Sequence, residues 1–214
     1  RVLMLSANNL RSPASGKVLT VPSQDMVFGV YYLTTEKDGV SGEGAVYADF
    51  DDAVNTIEND VDLDMQAKVT VRVYPKDANV IEDGRRLFRV KLSQKEVQDF
   101  DVTDGPVHFE TTTGRIIFNR QCLPADFPFI NYKMVKSDIG KLVNECCDRY
   151  STAEVEPILD AIKATGFHYA TRAGLTVSVW DAVIPSEKQS MLDEAQTKVD
   201  EINENYEDGF LTEQ

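Results

Sequence analysis

Gln66-Ala67-Lys68-Val69-Thr70-Val71-Arg72-Val73-Tyr74 alternates residue by residue, with Ala67, Val69, Val71 and Val73 on one face and Lys68, Thr70 and Arg72 on the other. A period of two belongs to a half-buried strand. Ser137-Asp138-Ile139-Gly140-Lys141-Leu142-Val143-Asn144-Glu145-Cys146 behaves differently. It sets Ile139, Leu142, Val143 and Cys146 at i, i+3, i+4 and i+7 behind a Ser cap, the stripe of an amphipathic helix. The change of period between these two stretches predicts an α+β chain, with a small antiparallel β subregion followed by helices.

Working outward from the alternating stretch, Arg85 to Leu92 repeats it with Phe88, Val90 and Leu92, and Val107 to Arg120 carries a fourth strand signal. Lys17 to Val21 and Met26 to Thr35 are rich in Val, Tyr and Phe and also read as strands, behind the turn Ser12-Pro13-Ala14-Ser15-Gly16. Residues 36–44 are polar and Gly-rich and read as a loop. Asp49 can cap a short helix whose Phe50, Ala53, Val54 and Ile57 share one face.

Outward from the helical stretch, Val155, Ile158, Leu159 and Ile162 form a second stripe, and Gly166 sits where a helix-terminating residue belongs. Pro157 fits only a first turn, which sets the start of that helix near Val155. Leu175 to Val179 is a short β-like run. Pro185-Ser186 opens a third helix with the capping pattern Ser186-x-x-Gln189. In it Leu192, Ala195, Val199, Ile202 and Tyr206 recur at intervals of 3 and 4, a coiled-coil seam, and Asp208-Gly209 reads as the turn at its end. No returning helix follows, so the chain is expected to end in half of an antiparallel coiled-coil hairpin. Arg1 in place of Met and this unfinished pattern both read as ends cut from a longer polypeptide.

The 214 residues carry 36 acidic and 22 basic side chains, a net charge of −14. Such a surface cannot supply the phosphate-neutralising footprint of a duplex-binding protein, so direct binding of duplex DNA is not expected. The longest uncharged apolar stretch, Met26 to Thr35, falls well short of the ~18 residues that span a bilayer. Cys122, Cys146 and Cys147 are odd in number and contain an adjacent pair, unlike a secreted disulfide framework. A reducing, cytoplasmic compartment fits this pattern.

No constellation reads as a self-contained active site. The cysteines with His108 and His168 lack zinc-ligand spacing, Cys146 lies on a helix's apolar stripe, and His108 falls on the solvent face of its strand. Asp49-Phe50-Asp51-Asp52 invites a divalent cation but lacks the glycine and the twelfth-position Glu of an EF-hand, and acidic residues are favoured at a helix start in any case. Gly39-x-x-Gly42-x-Gly44 has no Lys to make it a phosphate loop. No metal or cofactor is expected on these residues.

Ordered motifs across the whole chain carry a resemblance. They are Met4-Leu5-Ser6-Ala7-Asn8-Asn9, Ser12 to Gly16, Val21-Pro22-Ser23-Gln24-Asp25-Met26-Val27 with Gly29 and Tyr31-Tyr32-Leu33-Thr34, Thr111-Thr112-Thr113-Gly114-Arg115, Gly166-Phe167, Ala170-Thr171-Arg172-Ala173-Gly174, and Ile184-Pro185. Together they resemble the β′ subunit family of bacterial DNA-directed RNA polymerase. The resemblance implies a segment that follows the family's magnesium-binding aspartate motif and forms the wall and rim of the secondary channel, through which nucleotides enter. The segment would then be inactive alone, within a nucleotidyltransferase whose Mg and Zn lie elsewhere. Asp49-Phe50-Asp51 only superficially resembles that aspartate motif, since it lacks the following Gly-Asp.

The resemblance also implies an organisation. Residues 1–35 would be active-site-proximal, 36–120 mainly β with one short helix, 121–183 helical with a channel-lining loop, and 184–214 the first rim helix and its tip. Arg172 is the candidate for facing nucleotide phosphates, with Gln24 and Asn9 as polar neighbours, although Arg serves equally well in a structural ion pair. Asp208, Gly209, Phe210 and Leu211 are candidates for docking channel-entering factors. Partners implied are the other polymerase subunits, such factors, and nucleotides in transit. Trp180 departs from the Asp common in the family, and of the family's alarmone-contact positions around Val155 to Ala164 only Asp160 matches. A reading from another class remains open, an acidic protein-binding module that presents the last amphipathic helix to a partner.

Overall fold

A computed structural model describes residues 4–5, 9–60, 62–176 and 178–210. The chain divides into two units, Arg1–Leu175 and Thr176–Gln214. The first contains, in order, α1 (Asp25–Thr34), β1 (Val46–Tyr47), α2 (Phe50–Asn59), β2 (Lys68–Val73), β3 (Val80–Glu82), β4 (Arg85–Lys91), β5 (Val97–Asp101), β6 (Val107–Thr112), α3 (Thr113–Cys122), β7 (Phe129–Ile130), α4 (Lys136–Arg149) and α5 (Thr152–Ala173). The second contains α6 (Lys188–Glu207). This is an α+β fold.

The alternating stretch becomes β2, with Val69, Val71 and Val73 buried and Lys68 and Arg72 exposed. It pairs antiparallel with β6, from Lys68 opposite Thr112 to Val73 opposite Val107, and parallel with β1. A parallel pair needs a crossover, and α2 supplies it. In the second sheet β4 lies between β3 and β5, antiparallel to both, while β7 adds in parallel at Val90 and Lys91. The β region is therefore mixed rather than purely antiparallel.

Two apolar cores result. One gathers the sheet faces around Phe50, Phe88, Phe109 and Phe129, whose ring centroids lie 5.3–5.9 Å apart. The other gathers α1, α3, α4 and α5 around Leu33, Phe118, Ile139 and Ile162. Helix α3 joins them, because Ile116 faces the first core and Ile117 and Phe118 the second. Asp49 caps α2 as expected, its Oδ1 accepting from the Asp52 amide at 2.9 Å.

Several expectations are corrected. Met26 to Thr35 forms helix α1 rather than a strand, and Lys17 to Val21 contributes only the isolated bridge between Arg11 and Val18. The aromatic and β-branched run is overridden by packing, which buries Gly29, Val30, Leu33 and Thr34 on one helical face. The strand signal from Val107 ends at Thr112, whose hydroxyl caps α3 by accepting from the Arg115 amide. Helix α4 begins at Lys136, where Asp138 accepts from the Val135 amide, so Ser137 lies inside it.

Helix α5 begins at Thr152, not Val155, because Ser151 and Glu154 hold its first turn: Glu154 Oε2 accepts from the Ser151 amide at 2.9 Å. Pro157 then leaves the Ala153 carbonyl without its helical donor, but Ala153 is exposed, so water can satisfy it. Gly166 does not end the helix either. It lies in mid-helix, and Gly174 at φ 57° is the left-handed cap. No strand forms over the described part of Leu175 to Val179; a single 3₁₀ turn spans Val179–Asp181. Helix α6 starts at Lys188 with no side-chain cap from Ser186.

Candidate functional site

The site is built where α1 crosses α5. A methyl group added at Gly29 would lie 2.6 Å from the Gly166 carbonyl carbon and 2.9 Å from the Ala170 nitrogen, and one at Gly166 would lie 2.7 Å from the Met26 oxygen. Only paired glycines permit backbones this close. The contact aligns α5 along α1 so that its last turn carries Arg172 to the level of Tyr32. There Tyr32, Asp62, Leu63, Asp64, Met65 and Arg172 line a cleft of about 310 Å³.

The Arg172 guanidinium lies 5.9 Å from the Tyr169 ring centre. Among the described residues no carboxylate comes within 4.0 Å of it, so the structural ion pair does not form there. Asp62 and Asp64 nevertheless give the cleft a net negative lining. Arg172 is exposed, beside those carboxylates rather than bonded to them.

Gln24 does not stand beside it. Gln24 occupies the cap position of α1 at φ 51°, a backbone setting that costs a non-glycine residue on the order of 1 kcal/mol. Eight residues of helix separate it from Tyr32, about 12 Å along the axis at 1.5 Å per residue. Asn9 donates from Nδ2 to the Leu5 carbonyl at 2.9 Å. The outward face of α1 presents Phe28 and Tyr31, with Lys133 Nζ 5.2 Å from the Tyr31 ring centre.

The motif Thr111 to Arg115 has no role foreseen in the sequence. Its work is to lock α1 to the sheet. The Arg115 side chain is only 8% exposed, and it donates from Nη1 to Glu36 at 3.0 Å and to Asn131 Oδ1 at 3.2 Å, and from Nε to the Thr34 carbonyl at 3.1 Å. Burial lowers its pKa, opposed by the charge of Glu36. Glu36 also takes Lys68 at 2.9 Å, and Thr111 donates to Asn131 at 2.8 Å. Gly114 sits against the Leu33 backbone, where an added methyl would lie 3.1 Å from the carbonyl carbon and closer to its oxygen. A buried arginine whose Nε and Nη1 are supplied with three acceptors signals a structural role, and its burial could not be read from the motif alone.

The acidic run 49–52 is occupied with helix-start duties. Asp52 accepts from the Ala48 amide at 3.0 Å, Asp49 pairs with Lys76 at 3.5 Å, and Asp51 pairs with Arg120. Among the described residues no three His, Cys, Asp or Glu side chains are grouped to hold a metal ion. In the glycine loop the Gly39 amide donates to the carboxylate of Glu43 at 2.5 Å, so the chain's own carboxylate takes the place of a bound anion. Cys122 and Cys146 are buried, and burial pushes their thiols up to about 11 and about 12. No described helix is long and apolar enough to cross a membrane.

In the second unit every described residue of α6 is exposed, including the seam residues Leu192, Ala195, Val199, Ile202 and Tyr206. The helix closes as the sequence predicts. Gly209 takes φ 75°, its amide donates to the Tyr206 carbonyl at 3.0 Å, and Phe210 donates to Asn205 at 2.9 Å. Asp208, Gly209 and Phe210 therefore form a compact exposed tip, while Leu211 lies outside the described residues.

Comparison with known proteins places these features in a lineage. The β′ subunit of DNA-directed RNA polymerase from Acidothermus cellulolyticus is 44% identical over 214 residues, covering 100% of this chain and 16% of that protein. Those from Thermobifida fusca and Bifidobacterium adolescentis are 38% and 39% identical, again over 100% of this chain. The chain thus spans about 16% of the length of the curated relatives it matches. The family described as RNA polymerase Rpb1, domain 3, matches residues 9–182, which include both apolar cores, the glycine crossing and Arg172. The chain belongs to the RNA polymerase Rpb1 domain 3 family.

Proposed function

We propose that this chain serves DNA-templated transcription as the part of an RNA polymerase β′ subunit that forms the wall and rim of the nucleotide-entry channel. The observation that carries the reading is alignment of the entire chain to β′ subunits at up to 44% identity. The nucleotidyltransferase activity then belongs to the assembled enzyme in the cytoplasm. In this reading the catalytic aspartates lie outside this chain, and Asp49, Asp51 and Asp52 serve the start of α2. Mg and Zn belong to other parts of the subunit in this reading.

A passage works when its lining attracts without holding. Arg172 carries the positive charge that phosphates would meet, and Asp62 and Asp64 beside it oppose long residence. Gln24 and Asn9 line other points of the route. Partners are the remaining polymerase subunits, nucleotides in transit, and factors that meet the α6 tip at Asp208, Gly209, Phe210 and Leu211. The test is Arg172→Ala in the assembled polymerase. The apparent KM for nucleotides should rise severalfold with the thermal stability of the enzyme unchanged, and an unchanged KM would remove Arg172 from the route.

A further inference from the structure

The second unit carries a feature that channel lining does not use. Between the units' boundary and α6, the 3₁₀ turn Val179–Asp181 holds Trp180 91% exposed, beside Val179 at 88% and Val183 at 86%, with Ile184 exposed as well. The turn is tied by four hydrogen bonds. Ser178 Oγ accepts from the Trp180 amide at 3.2 Å and Asp181 Oδ2 from the Ser178 amide at 2.7 Å, while the Asp181 and Ala182 amides donate to the Ser178 and Val179 carbonyls at 3.1 and 3.3 Å. An indole displayed on a pre-formed turn loses little further conformational freedom when it is buried, and tryptophan buries more apolar area than almost any other side chain. Such residues are the usual centres of binding energy at protein interfaces.

Charge decides what can cover it. From 178 to 210 the sequence places nine carboxylates, Asp181 and Glu187 nearest the turn, against two ammonium groups, Lys188 and Lys198. A second copy would bring the same negative field and be repelled. The complementary surface is apolar at its centre and basic at its edge.

We propose that residues 178–184 dock, through Trp180, into an indole-sized apolar recess rimmed by Lys on a polymerase surface outside this chain. The proposal rests on the polymerase reading above, and the curated relatives have ample further sequence to supply such a surface, since this chain covers only 16% of their length. Burial of the indole and the flanking valines gives the contact its strength, and Asp181 with Glu187 sets its orientation against the basic rim.

Purified polymerase containing the complete subunit provides the test. Hydroxyl-radical footprinting read by mass spectrometry gives the oxidation rate of Trp180 against N-acetyltryptophanamide in the same solution. Zero-length carbodiimide coupling reads which lysines Asp181 and Glu187 touch. The expected result is oxidation at least fivefold slower than the standard, together with coupling of Asp181 or Glu187 to a lysine outside residues 1–214. Oxidation near the standard's rate, or coupling confined to Lys188 and Lys198 or to nothing, overturns the proposal. A subunit that does not co-purify with the other polymerase subunits refutes the polymerase reading and this one with it, whereas an assembled enzyme with a freely oxidised Trp180 refutes only the docking surface.

Discussion

Gly29→Ala and Gly140→Ala should change stability in opposite directions, although helix propensity alone favours both. Each glycine lies inside a helix, α1 or α4, where alanine is worth roughly 0.5–1 kcal/mol over glycine. At Gly140 the new methyl would sit 3.9 Å from Val21 Cγ1, an ordinary contact, so the propensity gain should appear in full. At Gly29 it would enter the Gly166 peptide, 2.6 Å from the carbonyl carbon and closer to the oxygen, and α1 and α5 would have to part by about 1 Å. A gap of ~0.5–1 Å forfeits roughly a quarter to a half of the dispersion energy of the atoms lining it. Those atoms include Val30, Leu33 and Ile162, all fully buried. Overpacking against backbone, which cannot rotate away, places the net cost at ~3 kcal/mol. At ~2–4 °C per kcal/mol for a chain of this size, Gly29→Ala should lower Tm by roughly 6–12 °C and Gly140→Ala raise it by roughly 1–4 °C. Thermal and urea unfolding of the two variants measure this. A Gly29→Ala protein as stable as the parent would refute the glycine-to-glycine crossing.

Glu36→Gln should cost ~3 kcal/mol, because Arg115 would keep its burial and lose the one carboxylate it pairs with among the described residues; a double variant with Arg115→Met should recover part of that loss in urea unfolding. Asp49 is held below its ordinary carboxylate range, first by the Asp52 amide and then by Lys76, so its stabilisation is complete above pH ~4 and is lost as pH falls through the lowered folded value. Asp49→Asn keeps a cap but removes the charge, so it should lower stability at pH 7 by about the amount the parent loses on acidification and flatten the fall below pH ~4. In the folded chain a thiol-specific disulfide reagent at pH 8 should modify Cys147 first and reach Cys122 and Cys146 only on unfolding, since burial raises both of the latter and leaves their sulfurs covered.

Periodicity was legible wherever one face of an element met one core. β2 and β4 alternate because one side of each sheet packs on the phenylalanine cluster, and α2 and α4 show clean stripes because their opposite faces are wet. Helix α1 was illegible for the converse reason. It packs against both α3 and α5, so Asp25–Thr34 has no polar stripe to break its apolar run, and a run without a stripe resembles a buried strand. Gln24 stands away from Arg172 for a related reason: residues of one motif can lie at opposite ends of one helix, as Gln24 and Tyr32 do.

Glycine is where the fold and the site depend on the same ambiguity. A glycine after an apolar stripe signals a helix end because it tolerates positive φ, yet it equally signals a backbone approach that no Cβ could survive. Gly174 is the first kind, at φ 57°; Gly166 is the second, with Met26 and Gly29 against it. If Gly166 ended the helix, the seven residues after it would be free of α1, and nothing would fix Arg172 over Tyr169. Because α5 continues to Ala173, the crossing that excludes a methyl at Gly29 also sets how far the guanidinium stands from Asp62 and Asp64. Parting the helices at Gly29 should therefore shift Arg172 as well as lower Tm. In the assembled polymerase a Gly29→Ala subunit should raise the apparent KM for nucleotides in the same direction as Arg172→Ala, and adding Gly29→Ala to Arg172→Ala should raise it no further.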